Sequence, residues 1–92
     1  MNRKKLLQIV VMNLKKEGAK KISLFGSYAR KEKHKDIDLI VAFKQQKSLL
    51  ELIRIERELS ESTGVKIDML TENSISPFLK ESIGKDIEVL YG

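Results

Sequence analysis

The sequence predicts an α/β (α+β) domain, a mixed sheet of about four strands with helices packed on it. Three observations carry this expectation. Segments with apolar residues at helical spacing alternate along the chain with short β-branched segments. One of the latter, Ile37 to Phe43, is apolar throughout except for Asp38, the composition of a strand buried on both faces. Glycines fall between the segments, at Gly18, Gly26, Gly64 and Gly84, where the chain must turn.

Taken in order, residues 2–17 place Leu6, Leu7, Ile9, Val10, Asn13 and Leu14 on a helix. Lys15 and Lys16 stand in its last turn, where cations suit the helix dipole, and Gly18 follows as a C-cap. Residues 20–25 read as a short strand stopped by Gly26, and a short helical turn with Tyr28, Ala29 and Arg30 follows Ser27. Residues 31–36 are charged and form a surface loop. After the strand Ile37–Phe43, Ser48 is an N-cap and Glu51, three residues on, completes a capping box. Leu49, Leu50, Leu52, Ile53, Ile55 and Leu59 then form the apolar stripe of a helix ending near Ser62. Val65 to Leu70 alternates as a third strand. Ser76-Pro77 opens a short helix to about Ile83, with proline at its first position, and Asp86 to Tyr91 is a final short strand.

The 92 residues are expected to form one domain spanning 1–92, with no repeat, low-complexity tract or linker. Apolar residues make up 41% and charged residues 34%, the profile of a globular chain with a heavily charged surface rather than a disordered one. There is no cysteine, which removes disulfides and thiolate metal sites and fits a reducing, cytoplasmic location. No apolar run approaches the ~18 residues of a membrane span, so no membrane association is expected. The basic start, Met1 to Lys5, leads into an apolar stretch broken by Gln8 and Asn13, which is a helix rather than a signal peptide. The net charge of +5 suits a polyanionic partner: a nucleoside triphosphate, a nucleic acid or an acidic protein. The few aromatic residues are scattered through apolar runs and offer no stacking platform, so direct nucleic-acid binding is not expected.

The chemistry concentrates in three short segments. In Leu24-Phe25-Gly26-Ser27-Tyr28-Ala29-Arg30 a strand runs into Gly-Ser and then a helical turn. A glycine there admits backbone N–H groups close to a phosphate, and a helix N-terminus favours an anion. In isolation, Gly26-Ser27 reads as a plain turn and cap. Asp36-Ile37-Asp38 places two carboxylates two residues apart, on one face of a strand. Such a pair repels unless a cation joins it, and magnesium takes one or two carboxylates together with substrate phosphates. Asp68 stands in the otherwise apolar Ile67-Asp68-Met69-Leu70; it faces the Asp36/Asp38 pair if the two strands are neighbours and is an ordinary solvent-facing charge if they are not.

Together and in this order, these segments resemble the minimal nucleotidyltransferases of the DNA polymerase beta superfamily. The resemblance covers nearly the whole chain, including Ser76-Pro77-Phe78-Leu79 and the closing Val89-Leu90-Tyr91. It implies that Gly26 and Ser27, with Arg30, bind the phosphates of a nucleotide, ATP. It also implies that Asp36, Asp38 and Asp68 are catalytic and hold two Mg2+ ions for nucleotidyl transfer. Its expected partner is a co-encoded small helical HEPN-type protein, a toxin that the nucleotidyltransferase neutralises as antitoxin by adding AMP to a tyrosine. The chain departs from the family in one loop. Its spacer, Tyr28 to Lys35, is eight residues, shorter than usual, with Lys31 and Lys35 where small residues usually stand. Lys33 and His34 belong to the same loop. That departure motivates the alternative of a catalytically weak or inactive protein of this fold that neutralises a helical partner by binding.

Overall fold

The computed structural model describes residues 3–25, 36–71 and 87–92, with Asp36 described in its backbone alone. The described elements are α1 (Arg3–Lys16), β1 (Ala19–Phe25), β2 (Asp36–Phe43), α2 (Leu49–Thr63), β3 (Lys66–Thr71) and β4 (Glu88–Tyr91). The expected turn at 28–30 and helix at 76–83 lie outside the described residues. The strands form one sheet in the order β3-β2-β1-β4. β1 runs antiparallel to both β2 and β4, whereas β2 and β3 are parallel and joined through α2. The mixed sheet is therefore as the sequence predicts.

Both helices cover the same face. Leu6, Leu7, Val10 and Leu14 of α1 and Ile55 and Leu59 of α2 join Ile22 and Leu24 of β1, Ile37, Leu39 and Val41 of β2, and Ile67 of β3 in one buried cluster. On β2, Ile40 and Ala42 point to the opposite face and are buried as well, so this strand is covered on both sides as its unbroken apolar run requires. The row Val89–Ser23–Ile40–Leu70 crosses all four strands on that second face.

Local chemistry sets the ends of α2. Ser48 has extended backbone and accepts a hydrogen bond from the Glu51 N–H, while the Ser48 N–H donates to the Glu51 carboxylate, the reciprocal capping box. Gly64 closes the helix at φ 74°, in the left-handed region where a side chain would be strained, and its N–H donates to the Ser60 carbonyl. The apolar stripe of α2 is wider than the face it buries. Ile55 and Leu59 are enclosed, but Leu49, Leu50 and Ile53 are exposed, Leu50 to 79%. At 100° per residue these three lie to one side of the line through Ile55, Leu59 and Thr63, so docking on the sheet cannot reach them.

α2 also closes the outer edge of the sheet. β3 is an edge strand, whose outward N–H groups would otherwise invite another strand. The Met69 N–H donates to Glu56 Oε2 at 2.9 Å and the Ile67 N–H to Ser60 Oγ at 3.1 Å. Arg54, from the same helix, bridges Glu17 at 3.0 Å and Glu58 at 3.2 Å and ties the end of α1 to α2. This network is largely solvated, so its contribution is small beside the apolar contacts.

Two outcomes follow. Leu59→Ala is expected to cost roughly 2–5 kcal/mol in urea unfolding, whereas Leu50→Ala stays within about 0.5 kcal/mol of wild type. Ser48→Ala is expected to cost about 1 kcal/mol. The hydrogen bonds from Ser48 hold the Glu51 carboxyl below the ordinary carboxylate range. A depressed carboxyl stabilises the fold at pH above that range and loses this as pH falls through its folded value. Glu51→Gln, which removes the titrating carboxyl and leaves the Ser48 N–H in place, should therefore flatten the acid-side decline of the unfolding midpoint.

Candidate functional site

Among the strands, the register of β2 with β3 decides the site. The parallel pairing sets Asp36 opposite Lys66, Ile37 opposite Ile67 and Asp38 opposite Asp68. Register partners on neighbouring strands lie about 4.8 Å apart and present their side chains to the same face. Ile37 and Ile67 point into the core, each 1% exposed. By alternation, Asp38 and Asp68 both point to the face opposite the helices. Both are half-buried there, beside the buried Ile40. The condition set by the sequence, that β3 adjoin β2, is met: the two carboxylates are direct neighbours.

The antiparallel partner completes the frame. Phe25, the last residue of β1, pairs with Asp38. The chain therefore leaves the sheet toward Gly26-Ser27 from a position level with the acid pair. Asp36 holds the register position two residues before Asp38 on the same strand. Lys66 is exposed at the position opposite Asp36 and sets a cation at the mouth of the acidic row. Gly26, Ser27, Arg30, Lys31, Lys33, His34 and Lys35 lie outside the described residues, as does the side chain of Asp36. Among the described residues no cluster of three carboxylate, imidazole or thiolate groups is assembled. The two described acids offer hard oxygen donors, the type a magnesium ion takes. What the strands assemble is a half-buried pair of neighbouring carboxylates at the start of β2. The neighbouring Phe25/Asp38 pairing was not read from the sequence, because antiparallel register depends on where the two strands meet and not on either segment alone.

Comparisons with known proteins bear on the family and the fold. Residues 5–92 match the family model described as polymerase beta, nucleotidyltransferase. A protein of Methanocaldococcus jannaschii, provisionally named a protein adenylyltransferase, is 46% identical over 85 residues, which cover 90% of this chain and 91% of the relative. A structure of the tri-AMPylated Shewanella oneidensis HEPN toxin in complex with MNT antitoxin superposes with a TM-score of 0.83 at 19% identity. The match covers 99% of this chain and 73% of that one. A toxin-antitoxin structure with AMP-PNP reaches a TM-score of 0.84 at 21% identity, over 94% of this chain and 73% of that one. At these identities the two superpositions establish the fold.

Two like charges held side by side destabilise the strands that carry them. In the absence of divalent cations, Asp68→Asn is therefore expected to raise the unfolding midpoint, by up to about 1 kcal/mol in urea titration.

Proposed function

Because this chain belongs to the polymerase beta nucleotidyltransferase family, we propose that it transfers AMP from ATP to a tyrosine hydroxyl of a small helical HEPN-type protein encoded beside it, as the antitoxin of that pair. The observation that carries the reading is the direct juxtaposition of Asp38 and Asp68 on adjacent parallel strands, with Asp36 two residues earlier on β2. It is supported by the likeness to a protein named as an adenylyltransferase and by the shared fold with an antitoxin bound to an AMPylated toxin.

Asp36, Asp38 and Asp68 would hold two magnesium ions. Bound there, the ions supply charge neutralisation for the triphosphate and lower the pKa of the attacking hydroxyl. The residues of the chain do the rest. Gly26 and Ser27 offer backbone and hydroxyl donors to the phosphates, and Arg30 adds a cation for the leaving group. Asp68, beside Asp38 on β3, would accept the proton of the hydroxyl. The hydroxyl oxygen forms its new bond to the α-phosphorus as the bond from that phosphorus to the β-bridging oxygen breaks, and pyrophosphate leaves. Acceleration comes mainly from alignment and from charges fixed in place by the sheet.

The shorter spacer, eight residues with Lys31 and Lys35, favours a second reading in which the same fold neutralises the helical protein by binding alone. One experiment separates the two. With α-labelled ATP, magnesium and the purified helical protein, label is expected to move onto that protein and to fall to background with Asp38→Asn. Absence of transfer, or transfer indifferent to Asp38→Asn, rejects the enzymatic reading. Neutralisation that survives Asp36→Asn/Asp38→Asn selects the binding reading. Calorimetry with ATP is likewise expected to show binding that requires magnesium in the wild type and is lost in Asp38→Asn.

A further inference from the structure

α1 is a cationic helix: five of the 18 Lys/Arg lie in it and none of the 13 Asp/Glu does. That helix also borders a groove of about 710 Å³ between α1 and β4. Leu7, Val11, Met12 and Leu90 form its apolar floor, and Arg3 and Lys4 stand at one end. Arg3 pairs with Glu88 at 2.6 Å, and further along the helix Lys15 stands 4.7 Å over the ring of Tyr91, so α1 is latched to β4 by a cation on each side of the groove residues. Met12 is 59% exposed.

We propose that this groove is the docking surface for an acidic, apolar-striped helix of a partner protein, a placement that rests on the reading above that the chain acts on a helical protein. The fit follows from size and charge. From Lys4 to Met12 the face of α1 runs about 12 Å, the length of two helical turns. A helix laid there buries its stripe on Leu7, Val11, Met12 and Leu90 and brings an acidic flank to the Arg3/Lys4 end, the helix-in-groove mode of recognition. Charge complementarity of this kind steers the encounter and selects the partner. A nucleic acid would use the cations but not the apolar side chains beside them. The groove is distinct from the acid pair, which lies on the opposite face of the sheet, so docking and transfer are separable.

The test measures complex formation between this chain and the purified helical protein by calorimetry. Met12→Glu and Lys4→Glu alter exposed side chains, and unchanged thermal melts establish that they fold. Each is expected to weaken the complex about tenfold or more. Leu50→Glu, on the exposed flank of α2, leaves it unchanged. Reversing an acidic residue of the partner helix to lysine is expected to restore affinity to Lys4→Glu. A complex indifferent to Met12→Glu and Lys4→Glu, or abolished by Leu50→Glu alone, overturns the groove while the proposed function stands. No complex with the wild type rejects the reading of a helical-protein partner and the groove with it. Two further results overturn the assignment: a wild-type dimer made monomeric by Met12→Glu, which gives the groove to a second copy, and tight, steeply salt-dependent binding of a single-stranded RNA oligonucleotide lost in Lys4→Glu, which gives it to nucleic acid.

Discussion

The parallel pairing of β2 with β3 is the constraint on which the rest depends. It requires a crossover long enough to reverse direction twice, which α2 supplies, and it places that helix on the face where Ile37, Leu39, Val41 and Ile67 wait to be covered. The same register, read on the other face, sets Asp38 against Asp68. Core and acid pair are thus two faces of one alternation. A slip of one residue would send isoleucines to solvent and carboxylates into the core, so the hydrophobic effect that secures the fold also secures the alignment of the acids.

The two edges of the sheet are treated differently. At β3 the outward N–H groups of Ile67 and Met69 are taken by Ser60 and Glu56 of α2. This closes the edge and holds β3, and hence Asp68, in place from outside while β2 holds it from inside. At the other edge, β4 is fastened to α1 through Arg3–Glu88 and Lys15–Tyr91, and the join leaves an apolar groove with Arg3 and Lys4 at one end. The molecule therefore has a side built for rigidity near the acids and a side built for contact, with the sheet between them.

Much of this was written in short-range features. Ser48 and Glu51 announce the start of α2 because a capping box is complete within four residues, and Gly64 announces its end because only glycine rests easily at φ 74°. The continuous apolar run of β2 announces burial on both faces, and Ile40 and Ala42 confirm it. What misled was the stripe of α2. Leu49, Leu50 and Ile53 satisfy helical spacing as well as Ile55 and Leu59 do, yet they remain exposed. Periodicity reports which residues share a side of a helix; how much of that side meets the sheet depends on the docking angle, which no segment encodes by itself.

The sequence by itself determined the two described helices and four strands, and the family through Gly26-Ser27, Asp36-Ile37-Asp38 and Asp68. Each of these is a local pattern, set by residue type and spacing within one turn or one strand. Only the tertiary structure decided that Asp38 and Asp68 are neighbours, that Phe25 at the end of β1 pairs with Asp38, and that α1 and β4 leave a groove between them. Those are relations between segments thirteen or more residues apart, set by which strands pair and in what register, and they follow from the single arrangement that buries the shared core.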